Sequence, residues 1–461
     1  MQQQQQQDTI SALQAMDAAH HLHPFTDSAD LAKRGTRVIE RAEGVYIWDA
    51  KGNKLLDAMA GLWCVNVGYG RKSIADAAYA QLQTLPFYNN FFQCTHEPAI
   101  QLAAKIASLA PANMNRVFFT GSGSEGNDTN LRMVRRYWDL KGQPSKKTII
   151  SRKNAYHGST VAGASLGGMG FMHQQGDLPI PGIVHIDQPY WFGEGRDMSP
   201  EAFGIKTARA LEAKILELGE DKVAAFIAEP FQGAGGVIIP PDSYWNEIKR
   251  ILEKYNILFI LDEVISGFGR TGNWFAAQTL DLKPDLITIA KGMTSGYIPM
   301  GGVIVSDRVA DVLISDGGEF AHGFTYSGHP VAAAVALENI RILEDEQLVD
   351  KVRTETGPYL QDRLQTLSAH PLVGEVRGMG MVGAIELVAD KHSMARFGSE
   401  ISAGMLCREA CIANGLVMRA VGDTMIISPP LCISRDEIDE LIFKASQALS
   451  LTLEKIAARD N

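Results

Sequence analysis

No stretch of this 461-residue chain approaches the ~18 consecutive apolar residues of a membrane-spanning helix. Apolar runs such as Ile257–Leu261 and Val331–Leu337 are core-sized. At the start, six glutamines follow Met1 and no basic region precedes an apolar one, so no secretory signal is expected and Gln2–Gln7 read as a solvated tail. Cysteine is scarce: Cys64, Cys94, Cys407, Cys411 and Cys432 are odd in number, scattered and without a CxxC pair. That pattern supplies neither a disulfide framework nor a metal site, and it suits a reducing cytoplasm. With 43 basic against 53 acidic residues the chain carries a net charge of −10 and has no Lys/Arg-rich stripe, so neither nucleic acid nor a membrane surface is an expected partner. Pro- or Ser-rich linkers and repeats are also missing, so a second domain would have to be assembled from both chain ends.

What is present is an ordinary globular composition, 46% hydrophobic and 21% charged, with enough apolar material for a large core. Val45–Trp48 and Lys54–Asp57 read as a hairpin, followed by helices at Ser73–Leu85 and Glu97–Leu109. From Arg116 short, wholly apolar segments alternate with helical patterns: Arg116–Phe119, Thr148–Ser151, Val223–Ala228, Ile257–Leu261, Leu286–Ala290 and Gly302–Val305, with helices running to Leu140 and over Ser243–Tyr255. This predicts an α/β fold with a mostly parallel sheet covered on both faces, and ligands at the carboxyl ends of its strands. After Pro330 come long helices, a strand at Met381–Val388, a helix at Ala403–Asn414, and strands at Leu416–Arg419 and Met425–Ser428.

Three strand ends carry candidate chemistry. Gly121-Ser122-Gly123-Ser124-Glu125-Gly126 is a G-x-G-x-x-G that opens a helix, where backbone N–H groups and the helix terminus can hold a phosphate. An ordinary βα turn would look the same. A dinucleotide site further needs an acidic residue at the end of the next strand, and Ser151, Arg152 and Lys153 stand there instead. Asp262 ends a strongly apolar strand, where a carboxylate must be paired or hydrogen-bonded. The same arrangement occurs in magnesium-binding ATPases, but no G-x-x-x-x-G-K-[ST] exists in this chain. Lys291, taken alone, would be a surface charge. Together a phosphate cradle, an anion and an amine are the parts that pyridoxal 5′-phosphate requires.

At these residues the chain resembles the class III aminotransferases of fold type I. Asp262-Glu263-Val264, Gly267-Phe268-Gly269-Arg270-Thr271-Gly272 and Ala290-Lys291-Gly292 are similar to the family signature, and the likeness runs from about Leu22 to Leu451. Met59–Cys64, Tyr156–Thr160, His322–Pro330 and Met418–Asp423 are similar to stretches of putrescine or polyamine:pyruvate members. The resemblance implies that Lys291 holds the cofactor as an internal aldimine and moves the substrate proton, while Asp262 keeps the pyridine nitrogen protonated. Gly123 and Ser124 would bind the phosphate, joined by Thr325 from the partner subunit of a homodimer with shared sites. Val264 and Tyr156 would sandwich the ring, with Glu229 and His157 on its hydroxyl side. Trp63, Tyr156, Arg419 and the partner's Phe91 would wall the substrate pocket, with Phe25 near the entrance. It also implies a division into a tail over 1–24, a large cofactor domain over 71–330, and a small domain made of 25–70 and 331–461. Gly126 departs from the family, which has alanine there, at about 0.5 to 1 kcal/mol of helix stability.

The implied reaction is a ping-pong transfer of an amino group from a primary amine or diamine to pyruvate, giving an aldehyde and L-alanine. A β-alanine or other ω-amino acid donor is the alternative within the fold. A nicotinamide-dependent oxidoreductase is the alternative from another class, disfavoured by the missing acidic residue. No metal is expected, and whether dimers pair into tetramers stays open.

Overall fold

The computed structural model describes residues 2–398 and 400–459; Met1, Ser399, Asp460 and Asn461 lie outside the described residues. The expected tail is a helix instead, Gln2–His20. Glutamine, alanine and leucine all favour helix, but without an apolar stripe the pattern gives no sign of one. It is pinned by Ile10, which is buried, by the Gln6 amide donating to Ala50 O at 2.6 Å and by the Gln14 amide donating to Thr36 O at 2.8 Å.

Strands β1 (Ile39–Glu43), β2 (Tyr46–Asp49) and β3 (Lys54–Asp57) form an antiparallel meander that contains the expected hairpin. The central sheet holds β4 (Arg116–Thr120), β5 (Thr148–Arg152), β6 (Ile183–Ile186), β7 (Val223–Ala228), β8 (Leu258–Asp262), β9 (Leu286–Ile289) and β10 (Gly301–Val305). Their order is β4-β10-β9-β8-β7-β5-β6, and β10 runs antiparallel to both its neighbours while the other pairings are parallel. The mostly parallel sheet read from the sequence is therefore present. Every residue of β7, β8, β9 and β10 is buried, which is why these strands read as unbroken apolar runs. On one face Val134, Tyr137 and Trp138 of the helix Gly123–Leu140 pack on Ala225, Ile227 and Ile260; on the other Phe226 and Phe259 meet Tyr244 and Trp245. Each large side chain buried in this way contributes roughly 1.5–3 kcal/mol.

The C-terminal part adds β11 (Val373–Met379), β12 (Val382–Leu387), β13 (Leu416–Val417), β14 (Arg419–Val421) and β15 (Thr424–Ile427). The single strand expected at Leu416–Arg419 is divided at Met418. β13 joins the N-terminal meander, parallel to β3, while β14 joins the antiparallel sheet β11-β12-β15-β14. The apolar alternation is continuous across the break, so only the pairing partners reveal it. Among the described residues no helix is long and apolar enough to cross a membrane.

Candidate active site

The carboxyl ends of β4, β5, β7, β8 and β9 converge on a cavity of about 420 Å³. Gly123, Ser124, Tyr156, His157, Glu229, Asp262, Val264 and Lys291 all line it. Ser122 caps the helix Gly123–Leu140, its Oγ accepting from Glu125 N at 3.2 Å, and so aims the helix terminus into the cavity. A Cβ on Gly123 would stand 2.7 Å from Val264 Cγ2, and one on Gly158 2.6 Å from Ser124 Oγ. Only glycine lets these backbones approach so closely.

Asp262 is held from three sides. Its Oδ2 accepts from the Asn127 amide at 2.8 Å and lies 2.8 Å from His157 Nδ1, and its Oδ1 accepts from Val264 N at 3.1 Å. Asn127 is itself oriented: its Oδ1 accepts from Thr288 Oγ at 2.7 Å, whose oxygen accepts from the Asn130 amide at 2.7 Å. Gly126 makes this arrangement fit, because a Cβ there would meet Thr288 Cγ2 at 2.9 Å and Gly302 O at 3.3 Å. The neighbouring acid, Glu263, points the opposite way. It accepts from the backbone of Ala276 and Ala277 at 2.6 and 2.8 Å, and burial pushes its carboxyl up to about 7.

Glu229 accepts from Tyr156 N at 3.2 Å and Gly233 N at 2.9 Å, and burial raises its pKa. Lys291 has a positive φ of 44°, a strained conformation for a lysine. Among the described residues its side chain makes no hydrogen bond or ion pair. Burial lowers its pKa, against the opposing pull of Cys64, Asp262 and Glu229. A low-pKa amine without a partner is a ready nucleophile.

The cavity opens at Tyr156 and Lys291 into a cleft of about 1660 Å³ that also touches Phe25, Trp63 and Arg419. Trp63, buried and at φ 65°, is both cleft wall and part of a cluster with Phe231, Val237 and Ile426. The Phe25 ring meets Tyr156 edge-on at 6.5 Å. Arg419 is half-buried without a hydrogen-bond or ion-pair partner among the described residues, and burial lowers its pKa. Phe91 and Thr325 line neither hollow. They lie near each other instead: a Cβ on Gly323 would meet the Phe91 ring at 2.8 Å, and the Asn90 amide donates to Ser327 O at 3.0 Å. Around them Tyr88, Phe92 and Tyr326 are exposed.

Asn127, Thr288, Asn130 and Cys64 are site residues that the sequence reading misses. For Asn127 a signal exists, since it stands four residues after Gly123 and so shares its helix face. The donor set fits a planar phosphorylated ring. A helix terminus and a glycine-shaped cradle would take the phosphate, a fixed carboxylate and an amine line the same cavity, and the buried Nε2 of His157 has no hydrogen-bond partner among the described residues.

Residues 30–449 match the family model described as aminotransferase class-III. A putrescine–pyruvate aminotransferase of Pseudomonas aeruginosa is 65% identical over 445 residues, covering 96% of this chain and 97% of that protein. A probable γ-aminobutyrate transaminase 3, mitochondrial, of Oryza sativa subsp. japonica is 43% identical, covering 95% and 86%. Among solved structures, a thermostable (S)-enantioselective ω-transaminase from Thermomicrobium roseum superposes with a TM-score of 0.93 at 45% identity, covering 96% and 99%. The ω-transaminase from Pseudomonas jessenii in complex with PMP gives 0.94 at 41% identity, covering 96% and 99%.

Proposed function

The chain belongs to the class III aminotransferases, and from that premise we propose that it transfers an amino group from a primary amine, putrescine or a related polyamine foremost, to pyruvate, giving an aldehyde and L-alanine. The observation that carries this reading is Lys291, an amine without a hydrogen-bond or ion-pair partner among the described residues, in a cavity that also holds the clamped Asp262. The choice of donor and acceptor is supported by the 65% full-length identity to the Pseudomonas aeruginosa putrescine–pyruvate aminotransferase.

Pyridoxal 5′-phosphate bound here supplies an aldehyde for amine capture and a ring able to accept the electron pair released when the substrate carbon loses its proton. Ser124, Gly123 and the helix terminus would hold its phosphate, and Asp262 would pair with its ring nitrogen. Tyr156 and Val264 would flank the ring and Glu229 would stand at its hydroxyl side, while His157, 2.8 Å from Asp262 Oδ2, would steady that carboxylate. Lys291 Nζ, whose pKa burial lowers, would move the substrate proton. Trp63 walls the cleft and Phe25 stands near its entrance. Arg419 pairs bidentately with the keto-acid carboxylate and turns away when an amine enters. The working unit is a homodimer in which Phe91 and Thr325 serve the partner's site, supported by their place on a surface with exposed Tyr88, Phe92 and Tyr326. The scattered cysteines support a cytoplasmic location.

The test is the visible spectrum of the holoenzyme mixed separately with putrescine, β-alanine and γ-aminobutyrate. Putrescine is expected to bleach the cofactor band fastest, and pyruvate to restore it. Faster bleaching by either amino acid would assign the enzyme to ω-amino acids instead.

A further inference from the structure

The tetrapeptide His20-His21-Leu22-His23, at the end of the first helix, has no part in the chemistry above. Asp17 and His21 stand four residues apart and share a helix face, and the helical turn is intact there, with His21 N donating to Asp17 O at 2.9 Å. Beyond His21 the chain leaves the helix and brings His23 back over the same carboxylate. His21 Nδ1 lies 3.1 Å from Asp17 Oδ1, and His23 Nε2 lies 2.9 Å from both carboxylate oxygens. The two imidazole rings face each other with centroids 4.1 Å apart and planes tilted by 41°.

We propose that Asp17, His21 and His23 form a binding site for one divalent cation of the zinc class, at the rim of the active-site cleft. Around an ion bound at about 2.0–2.2 Å, neighbouring ligand atoms stand roughly 3.0–3.5 Å apart. Asp17 Oδ1 already stands 3.1 Å from His21 Nδ1 and 2.9 Å from His23 Nε2, and the three donor atoms lie within 4.8 Å of one another, so side-chain rotations bring them to that spacing. Two imidazoles and one carboxylate favour Zn²⁺, Ni²⁺ or Cu²⁺ over Ca²⁺ and Mg²⁺, which prefer all-oxygen shells. His21 is well exposed, leaving room for water to complete the coordination. The setting also suits positive charge: Asp17 lies in the last turn of a helix, where the unpaired carbonyls are negative and a carboxylate is unfavourable unless neutralised. Two cationic side chains, Lys33 and Arg34, line the hollow shared by Asp17 and His21; the Arg34 guanidinium is engaged by Asp30 at 2.9 Å and Glu409 at 3.0 Å.

The position ties this site to the catalytic one. His23 also lines the cleft that reaches Lys291, and two residues later Phe25 meets Tyr156. An ion here would fasten the helix end to the strap that carries Phe25.

The test uses untagged, full-length holoenzyme and three variants, Asp17→Asn, His23→Gln and the control His20→Gln, titrated with Zn²⁺ by calorimetry. Unfolding temperatures measured in EDTA check that all four are equally folded. One Zn²⁺ per chain is expected in the wild type and in His20→Gln, weakened by more than about tenfold in the other two, since even outer ligand partners commonly contribute that much. Cu²⁺ bound to the wild type should show electron-spin coupling to two imidazole nitrogens. Any affinity of the cofactor for metal is common to all four proteins and cancels. Equal uptake by the wild type and the Asp17 and His23 variants, or no saturable uptake at all, would leave the cluster as a carboxylate between two imidazole N–H donors and overturn the proposal.

Discussion

Substituting Gly126 by alanine sets two effects of known size against each other. On a free helix the change stabilises by about 0.5–1 kcal/mol. In this fold the added Cβ would stand 2.9 Å from Thr288 Cγ2 and 3.3 Å from Gly302 O. An ordinary carbon contact is about 3.5–4.0 Å, so the helix or the strand must give by several tenths of an ångström. Thr288 has little freedom to turn aside, because its hydroxyl is bonded to both Asn127 and Asn130 at 2.7 Å and its β-branch restricts rotation. Overpacking of this kind costs about 1–3 kcal/mol, which exceeds the propensity gain and leaves a net loss of about 1 kcal/mol. The strain falls on Asn127 and Ser124, so cofactor affinity should drop about fivefold. Calorimetry of apo and holo forms should find Gly126→Ala melting roughly 2 °C lower, with a larger difference in the holo form. A variant more stable than the wild type by about 0.5 kcal/mol or more, with unchanged cofactor affinity, would refute the packing argument.

Arg419→Ala should slow the pyruvate half-reaction about ten- to hundredfold, the worth of one charge-assisted bond, while stopped-flow bleaching by putrescine stays nearly unchanged; equal losses would make Arg419 a structural residue. Mixed Lys291→Ala and Thr325→Ala subunits should recover activity that neither variant has alone, since a hybrid dimer contains one undamaged site; no recovery would place both residues in one chain's site. The raised carboxyl of Glu263 gives a pH signature. In the folded state it binds its proton more tightly, up to about 7 against 4.5, so its stabilising effect is complete below pH 4.5 and is lost as pH rises through about 7. The stability advantage of the wild type over Glu263→Gln should therefore shrink by about 3 kcal/mol between acid and mildly alkaline solution, measured by denaturant titration; a gap that stays constant or widens would contradict the shift.

Much of the central sheet is legible in the sequence because burial on both faces removes polar alternation, leaving Val223–Ala228 and Leu258–Leu261 as bare apolar runs. Asp262 and Lys291 stand out for the same reason: each is a charged residue at the edge of such a run. Asn127 stands out less, since its partner Asp262 is 135 residues away and its place on the Gly123 face of the helix is the one local sign that separates it from an exposed asparagine. The helix Pro200–Leu218 is absent from the sequence reading although its start is marked, with Ser199 as N-cap and Pro200 in the first turn. The strand Ile183–Ile186 has only four residues, two of them partly exposed, and offers less than one clear period. The opposite error at Gln2–Gln7 has the opposite cause, helix-favouring residues with no apolar face to announce them.

The pairing of β13 with β3 also governs the order in which the molecule can be completed on the ribosome. The amides of Leu56 and Ala58 donate to Gly415 O at 3.0 Å and Val417 O at 3.1 Å, and both side chains are fully buried in the finished protein. Those acceptors are synthesised about 360 residues later. At ordinary elongation rates β3 therefore waits roughly 20 to 70 s with an open edge. Domains usually close from the N-terminus as they emerge; here the first strands are among the last to be satisfied. A nascent chain halted before Leu416 would already own its phosphate loop, Asp262 and Lys291, yet lack both the strand that seals β3 and the arginine two residues beyond it.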